Sequence, residues 1–261
     1  MIRLKHKAMI TALGMAFLSA TSISVVGQEP IRPKLFVAPN EPLGKAQGAV
    51  PGRVAWVHSP GVAQWDGLSG LWVEDRWNDQ EKADAMIRET IALVGGRTDA
   101  AKGWAAMFRD FNKRHGKGSR KYRKGEKIAV KLNMNNAITH HDTIDLNSSP
   151  FVTLALVRSL VNDGGVRPAD IIVCEPSRAI TDSIYDKIHR EFPEVVFIDN
   201  IGGNGRQKCE YYAKRITYSV DNGKMARGIA KCIADADYVI NSALLKTHSG
   251  PGVTLTGKNW Y

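Results

Sequence analysis

Lys127-Ile128-Ala129-Val130-Lys131-Leu132-Asn133 is a short run of Ile, Ala, Val and Leu that ends in polar residues. Two similar runs follow, Asp170-Ile171-Ile172-Val173-Cys174 and Val195-Val196-Phe197-Ile198-Asp199, and a fourth spans Tyr238 to Leu245. Between them, Ser149-Pro150 has the form of a helix start, with Gly164-Gly165 closing a helix that runs to Val161, and Ser183 to Phe192 reads as another. Strands of continuous Val and Ile that alternate with helices predict a parallel sheet buried on both faces. The expected fold class is α/β: a mostly parallel, Rossmann-like sheet with helices on both faces.

Upstream of this core, Asp79 to Val94 and Ala100 to Arg114 carry apolar residues at helical spacing, with Gly95-Gly96 and Gly116 as stops. These two segments predict an N-terminal helical cap. Arg53-Val54-Ala55-Trp56-Val57-His58 reads as a first buried strand, followed by a loop containing Trp65, Trp72 and Trp77. Loop tryptophans seal a domain edge more often than they stack on a sugar. Residues 200 to 223 read as irregular, with a hairpin insertion around Arg215 to Val220, and Met225 to Ala234 as a short helix.

The first 27 residues have the pattern of a secretory signal peptide: Arg3, Lys5 and Lys7 precede an apolar run from Ala8 to Val26. Hydroxyl residues interrupt that run, which favours export and cleavage over a membrane anchor. With no twin arginine and no cysteine after the run, the general secretory route is expected, and with it a periplasmic or extracellular location without a stable membrane span. Residues 28–51 carry five of the prolines and form an extended Pro-rich lead-in; residues 52–261 form the α/β domain.

The chain has a formal charge of +10, and cleavage of the leader removes three of its cations. Much of the surplus lies between Lys113 and Lys127, where Tyr122 is the lone aromatic, so the run reads as a solvated connector and no nucleic-acid partner is expected. Cys174, Cys209 and Cys232 have no C-x-x-C spacing, which excludes a zinc ribbon or ferredoxin-type iron–sulfur cluster built from this chain alone. One disulfide with a leftover thiol is compatible with three cysteines, while Cys174, inside an apolar strand, reads as a small buried hydrophobe.

Three stretches resemble one known family: Lys127 to Asn133; Ile171-Ile172-Val173-Cys174-Glu175-Pro176-Ser177-Arg178; and Asp237-Tyr238-Val239-Ile240-Asn241 through Lys246-Thr247-His248 to Gly257-Lys258-Asn259. The chain is identified as a member of DUF362, a family of bacterial and archaeal proteins with no established general activity. It is similar to an exported subgroup that opens with a Trp-Val-His strand and a Trp-Asp-Gly loop. Family members normally continue beyond the Lys-Asn motif, so the resemblance implies an incomplete C-terminus, and the cluster-binding segment of many members is missing.

In a parallel sheet the residues just past each strand gather along one edge. Lys131, Asn133, Asn135 and Asn136 follow the first run; Glu175, Ser177 and Arg178 the second; Asp199 and Asn200 the third; Lys246, Thr247 and His248 the fourth; and Lys258 and Asn259 come last. A ring rich in cations and amides suits a small anionic molecule, a carboxylate or phosphate. His248, Lys246 and Glu175 are the candidate catalytic groups, His248 as general acid or base, and Lys131, Asn133, Asn135, Ser177, Arg178, Thr247, Lys258 and Asn259 are candidate ligand contacts. The plainer reading gives His248 a hydrogen bond to a neighbouring loop and packs the lysine stems along the strand edge. A divalent metal held by His58, His140 and Asp142 is the more specific alternative, against a solvated loop around His140-His141-Asp142. The function expected is an enzyme or cofactor-dependent protein acting on a small anion, or alternatively a non-catalytic periplasmic or surface module binding an anion or glycan.

Overall fold

The computed structural model describes residues 44–217, 222, 226–250 and 252–260; the leader and residues 28–43 of the Pro-rich segment lie outside the described residues. The unit described here runs from Ala46 to Tyr261. Its elements are α1 (Gln80–Val94), α2 (Ala100–Arg114), β1 (Ile128–Lys131), α3 (Pro150–Asn162), β2 (Ile171–Glu175), α4 (Asp182–Glu191), β3 (Val196–Asp199) and β4 (Gln207–Lys208). They continue as β5 (Tyr211–Thr217), β6 (Ala226–Ala230), α5 (Lys231–Ala234), β7 (Tyr238–Asn241), β8 (Lys246–His248) and β9 (Gly252–Thr254).

Five strands form one parallel sheet in the order β4-β3-β2-β1-β7. The chain therefore builds outward from β1 through β2, β3 and β4, then returns to the other side of β1 with β7. That reversal places a topological switch point between β1 and β7, beside which open parallel sheets form a crevice at their carboxyl ends. The register sets Lys131 opposite both Cys174 and Asn241, and Glu175 opposite Asp199, so the polar ends of neighbouring strands lie level.

Side chains alternate across the sheet. Ile128, Val130, Ile171, Val173, Phe197 and Tyr238 face a deep core filled by Trp104 and Phe108 of α2, Leu154, Val157 and Leu160 of α3, and Ile184 and Ile188 of α4. Each fully buried side chain of this size contributes about 1.5–3 kcal/mol, which makes this face the main source of stability. Ala129 and Cys174 face the other way, into a thinner layer formed by Cys209, Ala230, Cys232 and Ile233. Helices thus cover both faces, α2 to α4 on one and the short α5 with the β5–β6 hairpin on the other.

The helices begin where the sequence predicts, since Asp79, Asp99 and Ser149 each cap a helix by accepting a backbone N–H from three residues ahead. Gly103 sits inside α2 because α1 crosses it closely: a Cβ there would fall on the Ile91 carbonyl. The N-terminal helical pair packs onto the sheet as part of the main core layer, through Trp104 and Phe108.

Three local expectations are corrected. Residues 53–58 form no strand; Val54 is 91% and Trp56 70% exposed, and no neighbouring strand pairs with them. The first half of the expected helix from Met225 is β6, recruited into an antiparallel ladder by β5, and only Lys231–Ala234 is helical. The run expected as one strand to Leu245 stops at Asn241; Lys246–His248 belongs to a separate hairpin with β9. The basic connector is also less free than expected, because Lys117, Arg120 and Lys127 pair with Asp237, Glu126 and Asp170 at the amino-terminal edge of the sheet.

Candidate functional site

At the switch point, a cavity of about 460 Å³ opens over the ends of β1 and β2. Its walls come from three places: the segment after β1, the segment after β2, and the β8–β9 hairpin with the turn that follows it. All of the expected catalytic and ligand-contact residues line it: Lys131, Asn133 and Asn135; Glu175, Ser177 and Arg178; Lys246, Thr247 and His248; Lys258 and Asn259. Met134, Asn136 and Ser249 complete the lining.

The floor is a buried ion pair. Lys131 Nζ donates to Glu175 Oε2 at 3.0 Å, to the Leu132 carbonyl at 2.7 Å and to Asn259 Oδ1 at 3.2 Å. Glu175 Oε2 also accepts the Met134 N–H, while Oε1 accepts both the N–H and the hydroxyl of Ser177. Both charges therefore have full hydrogen-bond shells, which is the condition for burying them without a large desolvation penalty. The geometry makes Glu175 the anchor that holds Lys131 and the chain after β1 and β2 in place.

Asn259 extends this anchor. Its amide donates to Asn241 Oδ1 at 2.7 Å, and Asn241 in turn donates to the Thr256 carbonyl at 2.7 Å. The Lys-Asn pair near the end of the chain is thereby tied to β1 and β7. Asn241 is a positioning residue that the sequence reading missed; its signal was the polar residue ending a strand beside Lys131.

Above the floor the balance of charge changes. Lys131, Arg178, Lys246 and Lys258 line the cavity, and Glu175 is its one carboxylate among the described residues. Arg178 donates to the carbonyls of Asn135 and Ser177, which leaves its charge uncancelled. Among the described residues, neither Lys246 nor Lys258 forms an ion pair with a carboxylate. Asn133 adds a different feature: its side-chain oxygen is buried and has no hydrogen-bond partner among the described residues. The cavity thus offers cations. His248 accepts the Gly250 N–H on Nδ1 at 3.1 Å, so its neutral ring carries the proton on Nε2 and presents a donor there.

The comparison with protein families is decisive at this point. Residues 128–261 match the family described as Domain of unknown function (DUF362), a span that contains the whole sheet and every residue lining the cavity. The chain belongs to the DUF362 family. No curated protein and no solved structure matches the chain. The matched region of this DUF362 protein begins at β1, so α1 and α2 lie outside the match although they pack into the same core.

The structure does not assemble the expected metal set. His58 is exposed beside Trp56. His140 is buried and committed to Asp199, with Nε2 at 2.9 Å from Oδ2 and Nδ1 facing the Asn204 amide. Asp142 accepts the N–H and hydroxyl of Ser183 and so caps α4. Among the described residues no group of three or more His, Cys, Asp or Glu side chains converges to hold a metal. The reading of His58, His140 and Asp142 as ligands is therefore corrected: two serve the loop between β1 and α3, and the third lies on the surface. Asp199, read as an edge acid, is likewise closed off, since it also accepts the N–H groups of Ile180, Ile201 and Gly202.

The Trp-rich loop is tied to the loop after β1 through Trp72. Trp72 donates to the Asp145 carbonyl at 3.1 Å and Trp65 to the Ser69 carbonyl.

Proposed function

We propose that this protein holds a small anion, of the carboxylate or phosphate class, in the cavity at the carboxyl-terminal edge of its parallel sheet. The observation that carries this reading is the uncancelled positive charge of Arg178, Lys246 and Lys258 above a saturated Lys131–Glu175 floor. Because the one lining carboxylate is consumed within the floor, an anion entering the cavity gains charge-assisted hydrogen bonds without displacing an internal partner.

Calorimetric titration with inorganic phosphate and with a hydroxylated dicarboxylate, at low and high salt, tests the reading. Lys246→Ala and Lys258→Ala are each expected to weaken binding about tenfold, or about 1.4 kcal/mol. Unchanged affinity in both variants would sink it.

The catalytic version rests on His248. A ring held by Gly250 through Nδ1 has Nε2 available for proton transfer to a bound ligand. His248→Gln separates this version from a pure binding module: a binder retains its affinity and has no turnover to lose, whereas an acid–base enzyme retains affinity and loses activity about 100-fold or more.

The proposal places the protein outside the cytoplasm, on the strength of the Arg3, Lys5 and Lys7 leader with its apolar run. Among the described residues no helix is long and apolar enough to cross a membrane. Determining the N-terminus of the mature chain tests the location, with cleavage near Gly27-Gln28 expected.

A further inference from the structure

The thin face of the sheet gathers all three cysteines of the chain, which lie far apart in sequence. Cys174 is on the central strand β2, Cys209 joins β4 to β5, and Cys232 is in α5 immediately after β6. All are buried and pack in one cluster.

The hairpin backbone distinguishes between the two pairs. Its antiparallel ladder ends with Tyr211 facing Ala230. One step outward the chain turns into α5, and the Lys231 N–H donates to the Glu210 carbonyl at 2.9 Å. Cys209 and Cys232 directly flank that contact on the two chains and pack in one buried layer, a placement suited to the Cα span a disulfide bridges, roughly 4.4–6.8 Å. Cys174 lies in the parallel sheet beneath them, opposite Lys131 and Ile198.

We propose that Cys209 and Cys232 form a disulfide that staples the base of the β5–β6 hairpin onto the sheet, leaving Cys174 as a buried free thiol. The oxidant is a thiol-exchanging disulfide, of the kind present in compartments outside the cytosol. One cysteine thiolate attacks it, releasing one thiol and forming a mixed disulfide. The other cysteine thiolate then attacks the protein sulfur of that bond and releases the second thiol. In total the two cysteines lose two electrons and two protons, and the oxidant is reduced to two thiols.

The Cys232 thiol and burial push Cys209 above the ordinary thiol range, and the Cys174 thiol and burial, against an opposing contact with Cys209, push Cys232 up to about 12, which leaves little thiolate in the folded chain. Bond formation therefore belongs to folding, before the layer closes. The staple bears on the anion site as well. Cys174 directly precedes Glu175, and Tyr211 of the hairpin donates to the Pro176 carbonyl at 2.6 Å, so the hairpin braces the strand end that supplies the cavity floor.

The test is refolding of the denatured, reduced full chain in a mixture of oxidised and reduced glutathione, then alkylation in denaturant and intact-mass and peptide analysis. One alkylated cysteine, at Cys174, and one peptide pair linking Cys209 to Cys232 are expected, with three alkylated cysteines after reduction. In Cys174→Ser the linked pair is expected to persist with no alkylated cysteine. Three alkylated cysteines in the refolded wild type, or a link that includes Cys174, overturns the proposal. So does loss of the link in Cys174→Ser when that variant refolds to the same circular dichroism spectrum.

Discussion

The two ends of the parallel sheet are both charged, yet they use charge in opposite ways. At the amino-terminal end, the Asp170 carboxylate accepts the Lys127 ammonium, the Tyr122 hydroxyl and the Gly125 N–H. Beside it, Glu126 is engaged by Arg120, the Arg123 N–H and Tyr238, while Asp237 takes Lys117 and the Lys127 N–H. Every one of these acids has its cation. At the carboxyl-terminal end, the one lining carboxylate is spent on Lys131, and Arg178, Lys246 and Lys258 are left over. Charge alone therefore does not mark a site; charge that the fold leaves uncancelled does. The same contrast recurs within one register row, where Glu175 faces the cavity and its neighbour Asp199 is closed off by His140 and three loop amides.

Acid provides the largest test, because it discharges both amino-end clusters together. The Arg120 guanidinium, as the main cause, holds Glu126 down at about 2, and the Lys127 and Tyr122 hydrogen bonds outweigh burial to hold Asp170 at about 2 as well. Their ordinary values are 4.5 and 3.8, so each is depressed in the folded state. Their contribution is fully present above the ordinary values and is lost as pH falls toward 2. Unfolding by urea, followed across that window, is expected to require progressively less denaturant; a flat midpoint would break the comparison.

A single substitution comes next. Asp170→Ala leaves Lys127 without its partner and the Tyr122 hydroxyl and Gly125 N–H without their acceptor, and is expected to cost about 3 kcal/mol in denaturant unfolding. Anion affinity in the same variant is expected to remain unchanged, since the substitution lies at the opposite end of the sheet.

The smallest stability effect is expected at the carboxyl end. Lys246→Ala and Lys258→Ala should shift unfolding by no more than about 0.5 kcal/mol, because neither lysine supports an internal partner. A large loss of stability from either would place these lysines in the architecture and remove the distinction between the two ends.

Much of the arrangement was legible in the residues themselves. The four Val- and Ile-rich runs, the capping residues Asp79, Asp99 and Ser149, and the polar tips after each run depend on local patterning, and local patterning survives folding. What escaped were the elements whose state depends on a distant partner. Residues 226–230 have a composition that also suits a helix, and became a strand because β5 offers a ladder. Residues 53–58 have the alternation of a strand but no neighbour to pair with. His140 and Asp142 resemble metal ligands in sequence, and only the positions of Asp199 and Ser183 reveal that they are already engaged.

By itself the sequence determined the fold class, the direction of the sheet and the edge at which its functional groups gather, because apolar periodicity and strand-end polarity are properties of neighbouring residues. Tertiary structure alone decided which charges are cancelled, that three distant cysteines share one buried layer, and which histidine is free. Those outcomes depend on distances between residues up to 128 positions apart, such as Lys131 and Asn259, and a hydrogen bond or ion pair forms only where the whole chain brings its two ends within about 3 Å.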